Sequence, residues 1–141
     1  MARYSLSSLQ SFISIHLSEP FWIGVDVHKR SYHIALLRAD NKTITFTTTA
    51  SPETFVEQLR RLNIRVAGVV YEAGPTGFGL ARALLAEKIP VTVAAPSKIP
   101  RSVSPGAKTD RLDCLKLAQY AAKGLIRPIA IPTAEEEAWR A

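Results

Sequence analysis

Four carboxylates in this chain stand where a plain α/β core would not keep charge. Asp26 interrupts the apolar run Phe21-Trp22-Ile23-Gly24-Val25-Asp26-Val27, and Glu72 ends another, Val66-Ala67-Gly68-Val69-Val70-Tyr71-Glu72. Asp110 and Asp113 form a Thr109-Asp110-Arg111-Leu112-Asp113 pair at the start of a helical stretch. Acids at strand ends are costly unless hydrogen-bonded, paired or metal-bound. Several converging on one place would repel one another without a cation. Hard oxygen donors select Mg²⁺ or Mn²⁺ over zinc, and such a cluster suits two ions ~3.5–4 Å apart. The chemistry this supports is metal-dependent phosphoryl transfer on nucleic acid. Singly, each acid has a plainer reading. Asp110 can be an N-cap with Asp113 in the first turn, Asp26 a buried acid bonded to backbone amides, and Glu72 a cap of the turn that follows.

The elements that must position these acids follow from pattern. Phe21 to His28 reads as a buried strand, and Ser31 to Arg38 as a second after a turn at Lys29-Arg30. Lys42 to Thr49 alternates threonine with Ile44, Phe46 and Thr48, a period of two with one wetter face. Asp40-Asn41 makes the turn between them. Ser51-Pro52-Glu53 opens a helix whose stripe is Phe55, Val56, Leu59 and Leu62, with Glu57 and Arg61 pairing on the other side. Arg65 to Glu72 is apolar on both faces, as a central parallel strand should be. Gly77 to Lys88 is a second helix, Pro90 to Ala95 another strand, and Asp110 to Leu125 a third helix. At ~100° per residue, Asp110, Asp113, Cys114, Leu117 and Ala121 share one arc, so both aspartates are expected to point inward. A meander followed by right-handed crossovers gives a mixed five-stranded sheet, order 3-2-1-4-5, with helices on both faces. Asp26 and Glu72 then occupy neighbouring strands at a topological switch point, where ligands bind at strand carboxyl ends.

Composition narrows the class. The 141 residues, 47% hydrophobic and 21% charged, are those of a folded domain. Eighteen Lys and Arg against twelve Asp and Glu give a net charge of +6, which favours polyanionic partners. The single Cys114 excludes an internal disulfide and suits a reducing cytoplasm. No stretch reaches the ~20 apolar residues of a membrane span. Residues 1–20 read as a leader, 21–133 as the domain, and 134–141 as the start of a truncated helix leading to a missing C-terminal region. Trp139 on that helix is expected to be exposed and to want a partner segment. His28 and Lys29 after Asp26, with Lys98, Arg101, Lys108 and Arg111 beside the last acid pair, are the candidate contacts to a phosphate backbone. His33 reads as a structural or surface residue, and Cys114 as a small buried hydrophobe. Gly74, Gly77 and Gly79 do not form a dinucleotide fingerprint; they read as a tight turn, with the helix start near Glu72 able to help hold a phosphate.

Three motifs in register resemble a known family. Ile-Gly-Val-Asp-Val-His-Lys (Ile23 to Lys29), Tyr-Glu-Ala-Gly-Pro-Thr-Gly (Tyr71 to Gly77) and Ala-Lys-Thr-Asp-Arg-Leu-Asp (Ala107 to Asp113) are similar to those of the DEDD-type insertion-sequence transposases. That family includes Piv-type invertases and bridge-RNA-guided recombinases. The resemblance implies an RNase H-like (RuvC-like) α/β domain whose metal-binding catalytic acids are Asp26, Glu72, Asp110 and Asp113. It implies cleavage and rejoining of DNA, with a structured guide RNA in some members, in a longer protein expected to be a homo-oligomer. A downstream domain supplies a serine nucleophile in that family, and no serine here maps onto it. Two other functions compete. An actin-like ATP phosphotransferase would need a second Asp-Gly-Gly-Thr phosphate loop, which this chain lacks. A non-catalytic nucleic-acid-binding module would use the same basic residues with structural acids.

Overall fold

The computed structural model describes residues 6–14, 18–74, 76–96 and 112–140. Strands β1 (Pro20–Val27), β2 (Ser31–Leu37) and β3 (Thr43–Thr49) form the antiparallel meander, and β4 (Arg65–Glu72) and β5 (Val91–Ala94) run parallel to β1. The order across the sheet is β3-β2-β1-β4-β5. This is the expected RNase H-like arrangement. The turn between β2 and β3 places Asn41 at φ 68°, a left-handed position that asparagine tolerates better than most residues.

Strand periodicity divides the sheet into two packed faces. On β1, Phe21, Ile23, Val25 and Val27 enter the larger core. Over it lie α1 (Leu6–Ile13), α2 (Pro52–Leu62) and α3 (Gly79–Ala86), through Leu9 and Ile13, Phe55 and Leu59, and Leu80 and Leu84. Tyr32 meets Phe55 edge to face, with ring centroids 6.3 Å apart. Trp22, Gly24 and Asp26 face the other way, towards α4 (Cys114–Ala122). There Val70, Ala94 and Leu117 form a smaller core, bordered by Leu112, Ala121 and Ile126.

Helix α2 shows how local sequence sets an element. Ser51 has extended backbone, and its hydroxyl accepts the Thr54 N–H at 3.2 Å. Pro52 occupies the first turn, where no N–H is missed, and Asn63 closes the helix in the left-handed region at φ 52°. The Glu57–Arg61 pair forms at 3.5 Å. Ser51→Ala is expected to lower stability by about 1 kcal/mol, read as a shift of the urea midpoint with an unchanged slope.

Helices α1, α3 and α4 differ from the sequence-based reading, α3 being shorter than the expected Gly77 to Lys88. Helix α1 was not expected; it falls within residues read as a leader, and Leu9 and Ile13 are buried. Helix α4 begins at Cys114 rather than Asp110. The terminal helix α5 (Ala134–Arg140) is present, and Trp139 is 85% exposed. Among the described residues no helix is long and apolar enough to cross a membrane.

Candidate metal centre

The last register pair between β1 and β4 is Gly24 with Val70. Asp26 and Glu72 each lie two residues further on, so both continue the α4 face of their strands. Glu72 is 4% exposed, the one buried charged residue of the described core. Its Oε2 accepts the Leu112 N–H at 3.0 Å across forty positions of chain. That bond ties the approach to α4 to the end of β4. The Asp26 side chain is 19% exposed, and its Oδ2 bonds His28 Nε2 at 2.9 Å.

Helix α4 comes down on the sheet beside these acids. A Cβ on Gly24 would overlap the Cys114 carbonyl oxygen and stand 2.8 Å from the Ala118 nitrogen. Only a residue without a side chain allows this approach. Cys114 therefore sits over β1, 2% exposed. Its thiol is raised to about 11, first by burial, then by the negative charges of Asp113 and Asp26. One thiol thus feels one acid from β1 and another from the helix start, at the strand ends where Glu72 also lies.

Asp113 corrects an expectation. It does not point inward. It is the exposed N-cap of α4, and its Oδ1 accepts the Lys116 N–H at 2.8 Å. Both aspartates of the Asp-x-x-Asp pair suit a cap by type. The fit of Cys114 against Gly24 settles which one starts the helix. Asp110, Lys98, Arg101, Lys108 and Arg111 lie outside the described residues. Among the described residues, no three His, Cys, Asp or Glu side chains form a group able to hold a metal ion. Two strand-end carboxylates with oxygen donors fit a hard cation; further ligands would have to come from Asp113 leaving its cap or from Asp110.

One neighbour escaped the sequence reading. His33 pairs with Asp26 across β1 and β2, and its ring meets that of His28 edge-on at 4.9 Å. Strand alternation puts His33 on the same face as Ala35, but only the register shows that it lies opposite Asp26. Lys29 is exposed in the turn that follows.

The start of α3 is arranged differently from a phosphate loop. Gly77 adopts φ 77°. The Phe78 N–H donates to Glu137 Oε2 at 3.2 Å, and Glu137 Oε1 pairs with Arg82 at 2.6 Å. The Gly77 N–H donates to the Gly74 carbonyl at 3.0 Å, the expected tight turn, and a carboxylate from α5 takes the place at the start of α3 that could have helped hold a phosphate. The Tyr71 hydroxyl accepts the Ala81 N–H at 3.1 Å. Burial, more than any other influence, pushes that phenol up to about 12.

The family model of the IS110-type DEDD transposases, described as a transposase, matches residues 23–141. The chain is 33% identical over 125 residues to the transposase for insertion sequence element IS1533 of Leptospira borgpetersenii, covering 84% of this chain and 36% of that protein. It is 40% identical over 70 residues to y4qE of Sinorhizobium fredii, which is named as a transposase, covering 50% of this chain and 18% of that protein. The chain thus spans about a third or less of the length of these relatives. It belongs to the DEDD-type insertion-sequence transposase family.

Proposed function

We propose that the carboxyl end of the sheet is the divalent-metal centre of a transposase domain that cleaves and rejoins DNA. The observation that carries this reading is the placement of Asp26 and Glu72 on neighbouring parallel strands, on the one face that α4 also closes. Asp26, Glu72, Asp110 and Asp113 would hold Mg²⁺ or Mn²⁺, as a pair of ions. A bound divalent cation makes a water or hydroxyl a stronger nucleophile and stabilises the leaving oxygen. The chain's own groups orient the ligands. His28 holds Asp26 through its 2.9 Å bond, and the Leu112 N–H fixes Glu72; such outer partners set ligand geometry. His28, Lys29, Lys98, Arg101, Lys108 and Arg111 would contact the DNA backbone, or a guide RNA where one is used. Strand exchange would need a serine-bearing domain in a longer, oligomeric protein.

Titration with Mn²⁺, followed by thermal unfolding, tests the centre. At a free ion concentration 100 times Kd, binding stabilises the native state by about 2.7 kcal/mol. The wild-type chain should show that gain and Asp26→Asn should not. Equal Mn²⁺ responses in the two would sink the metal reading and leave a nucleic-acid-binding module with structural acids.

Asp113 allows capping to be separated from ligation. Asp113→Ala should cost about 1 kcal/mol in metal-free protein, whereas Asp113→Asn should cost little, because asparagine caps nearly as well. Both should weaken Mn²⁺ binding if the carboxylate is a ligand. If the Asn variant binds Mn²⁺ like wild type, Asp113 is a cap alone.

A further inference from the structure

Asp26 is buttressed from the neighbouring strand. The antiparallel register sets His33 of β2 directly opposite Asp26 of β1, and residues so paired share a face of the sheet. His28 follows β1 into the turn, where its backbone N–H donates to the Ser31 carbonyl at 2.9 Å. The His28 ring reaches back, and its Nε2 meets Asp26 Oδ2 at 2.9 Å. An ionised carboxylate can only accept, so Nε2 carries the proton in that bond. Taken alone, the bond is poorly protected. The His28 side chain is 46% exposed, so water competes for its donor and the released ring regains its rotamer freedom.

The contact that holds this ring comes from His33. The two imidazoles meet edge-on, with centroids 4.9 Å apart and planes at 69°, inside the usual range of aromatic pairs. His33 is half-buried, and its Nε2 lies 3.4 Å from Ser31 Oγ, a contact that helps orient its own ring. We propose that His33 is a positioning residue for the metal centre. It keeps His28 in the one orientation that engages Asp26, and so fixes the carboxylate as it meets a divalent cation. The inference rests on the reading of Asp26 as a ligand, and it adds a residue outside all three sequence motifs. The role is steric: a flat ring behind His28 is what the position requires. His33 itself touches no ion, yet residues beyond the ligands set how tightly a metal is held.

The test uses the 141-residue chain with four variants: His33→Ala, His33→Phe, His28→Ala and the double variant His28→Ala/His33→Ala. In metal-free protein, the Hα–Hβ NMR couplings of His28 should report a single χ1 rotamer. In His33→Ala they should average over several wells, and His33→Phe should restore the single one. Calorimetric titration should show Mn²⁺ bound at least about tenfold more weakly by His28→Ala. His33→Ala should lose about fivefold, what one ring pair contributes, and His33→Phe should stay within about twofold of wild type. The double variant should bind no more weakly than His28→Ala, because without that ring His33 has nothing to hold. Averaged His28 couplings in wild type, or a single rotamer retained in His33→Ala, would overturn the proposal. So would wild-type Mn²⁺ affinity in His33→Ala, or losses that multiply in the double variant. A wild-type chain without any Mn²⁺ response sinks the metal reading instead, and the metal-free couplings still decide whether His33 holds His28.

Discussion

Gly24→Ala is expected to destabilise the chain by about 3 kcal/mol, the upper end for one methyl added to a packed interior. The added carbon would meet backbone, the Cys114 carbonyl and the Ala118 nitrogen, and backbone cannot step aside as a flexible side chain can. The helix must lift as a body, taking Leu117 off Val70 and Ala94. It would also move Leu112 away from Glu72. Reduced stability should therefore be accompanied by weaker Mn²⁺ binding, although Gly24 has no ligand atom. Gly79→Ala is the control. Nothing lies within 4 Å of its added Cβ, and alanine in the first turn of α3 should stabilise by about 0.5 kcal/mol. Urea unfolding of the two variants side by side checks both signs. A Gly24→Ala midpoint equal to wild type would show that α4 does not rest on β1 as described.

The second large effect concerns Glu72. In Glu72→Gln a side-chain oxygen still accepts the Leu112 N–H, so metal-free stability should change by no more than about 1 kcal/mol. Its Mn²⁺ affinity should nevertheless fall by more than about 100-fold, beyond what loss of an outer-shell partner costs. Glu72→Ala should behave otherwise. It leaves the Leu112 N–H without its acceptor and should cost about 1–3 kcal/mol even without metal. Calorimetric Mn²⁺ titration beside urea unfolding separates the two. If the Gln variant binds Mn²⁺ as well as wild type, Glu72 is only the anchor of α4.

What could be read from the sequence divides along physical lines. Strands β1, β2 and β4 announce themselves because period and apolar runs are local signals. Helix α2 does so because a capping serine and a first-turn proline lie next to its stripe. The switch point, and hence Asp26 beside Glu72, followed from chain order and the handedness of crossovers. Helix α1 was missed because its buried residues are few and set among serines and glutamine; tertiary packing, not propensity, makes it a helix. The start of α4 was placed too early because either aspartate could cap it, and the decision lies in a contact with Gly24, ninety positions away. His33 owes its interest to neighbours set by register and packing. No local pattern carries that information. The same is true of Glu137 at the start of α3.

The seat of α4 on Gly24 also bears on how the molecule assembles. Strands β1 to β3 are joined by short turns and can pair early, because little loop entropy opposes them. The contact between Gly24 and Cys114 closes a loop of some ninety residues, so it should form late. Hydrogen-exchange labelling during refolding should then find the meander protected before α4, with the acidic end of the sheet open to water until the final step. A chain paused at that stage would present Val70 and Ala94 uncovered, which makes late docking, rather than hairpin formation, the stage most exposed to aggregation.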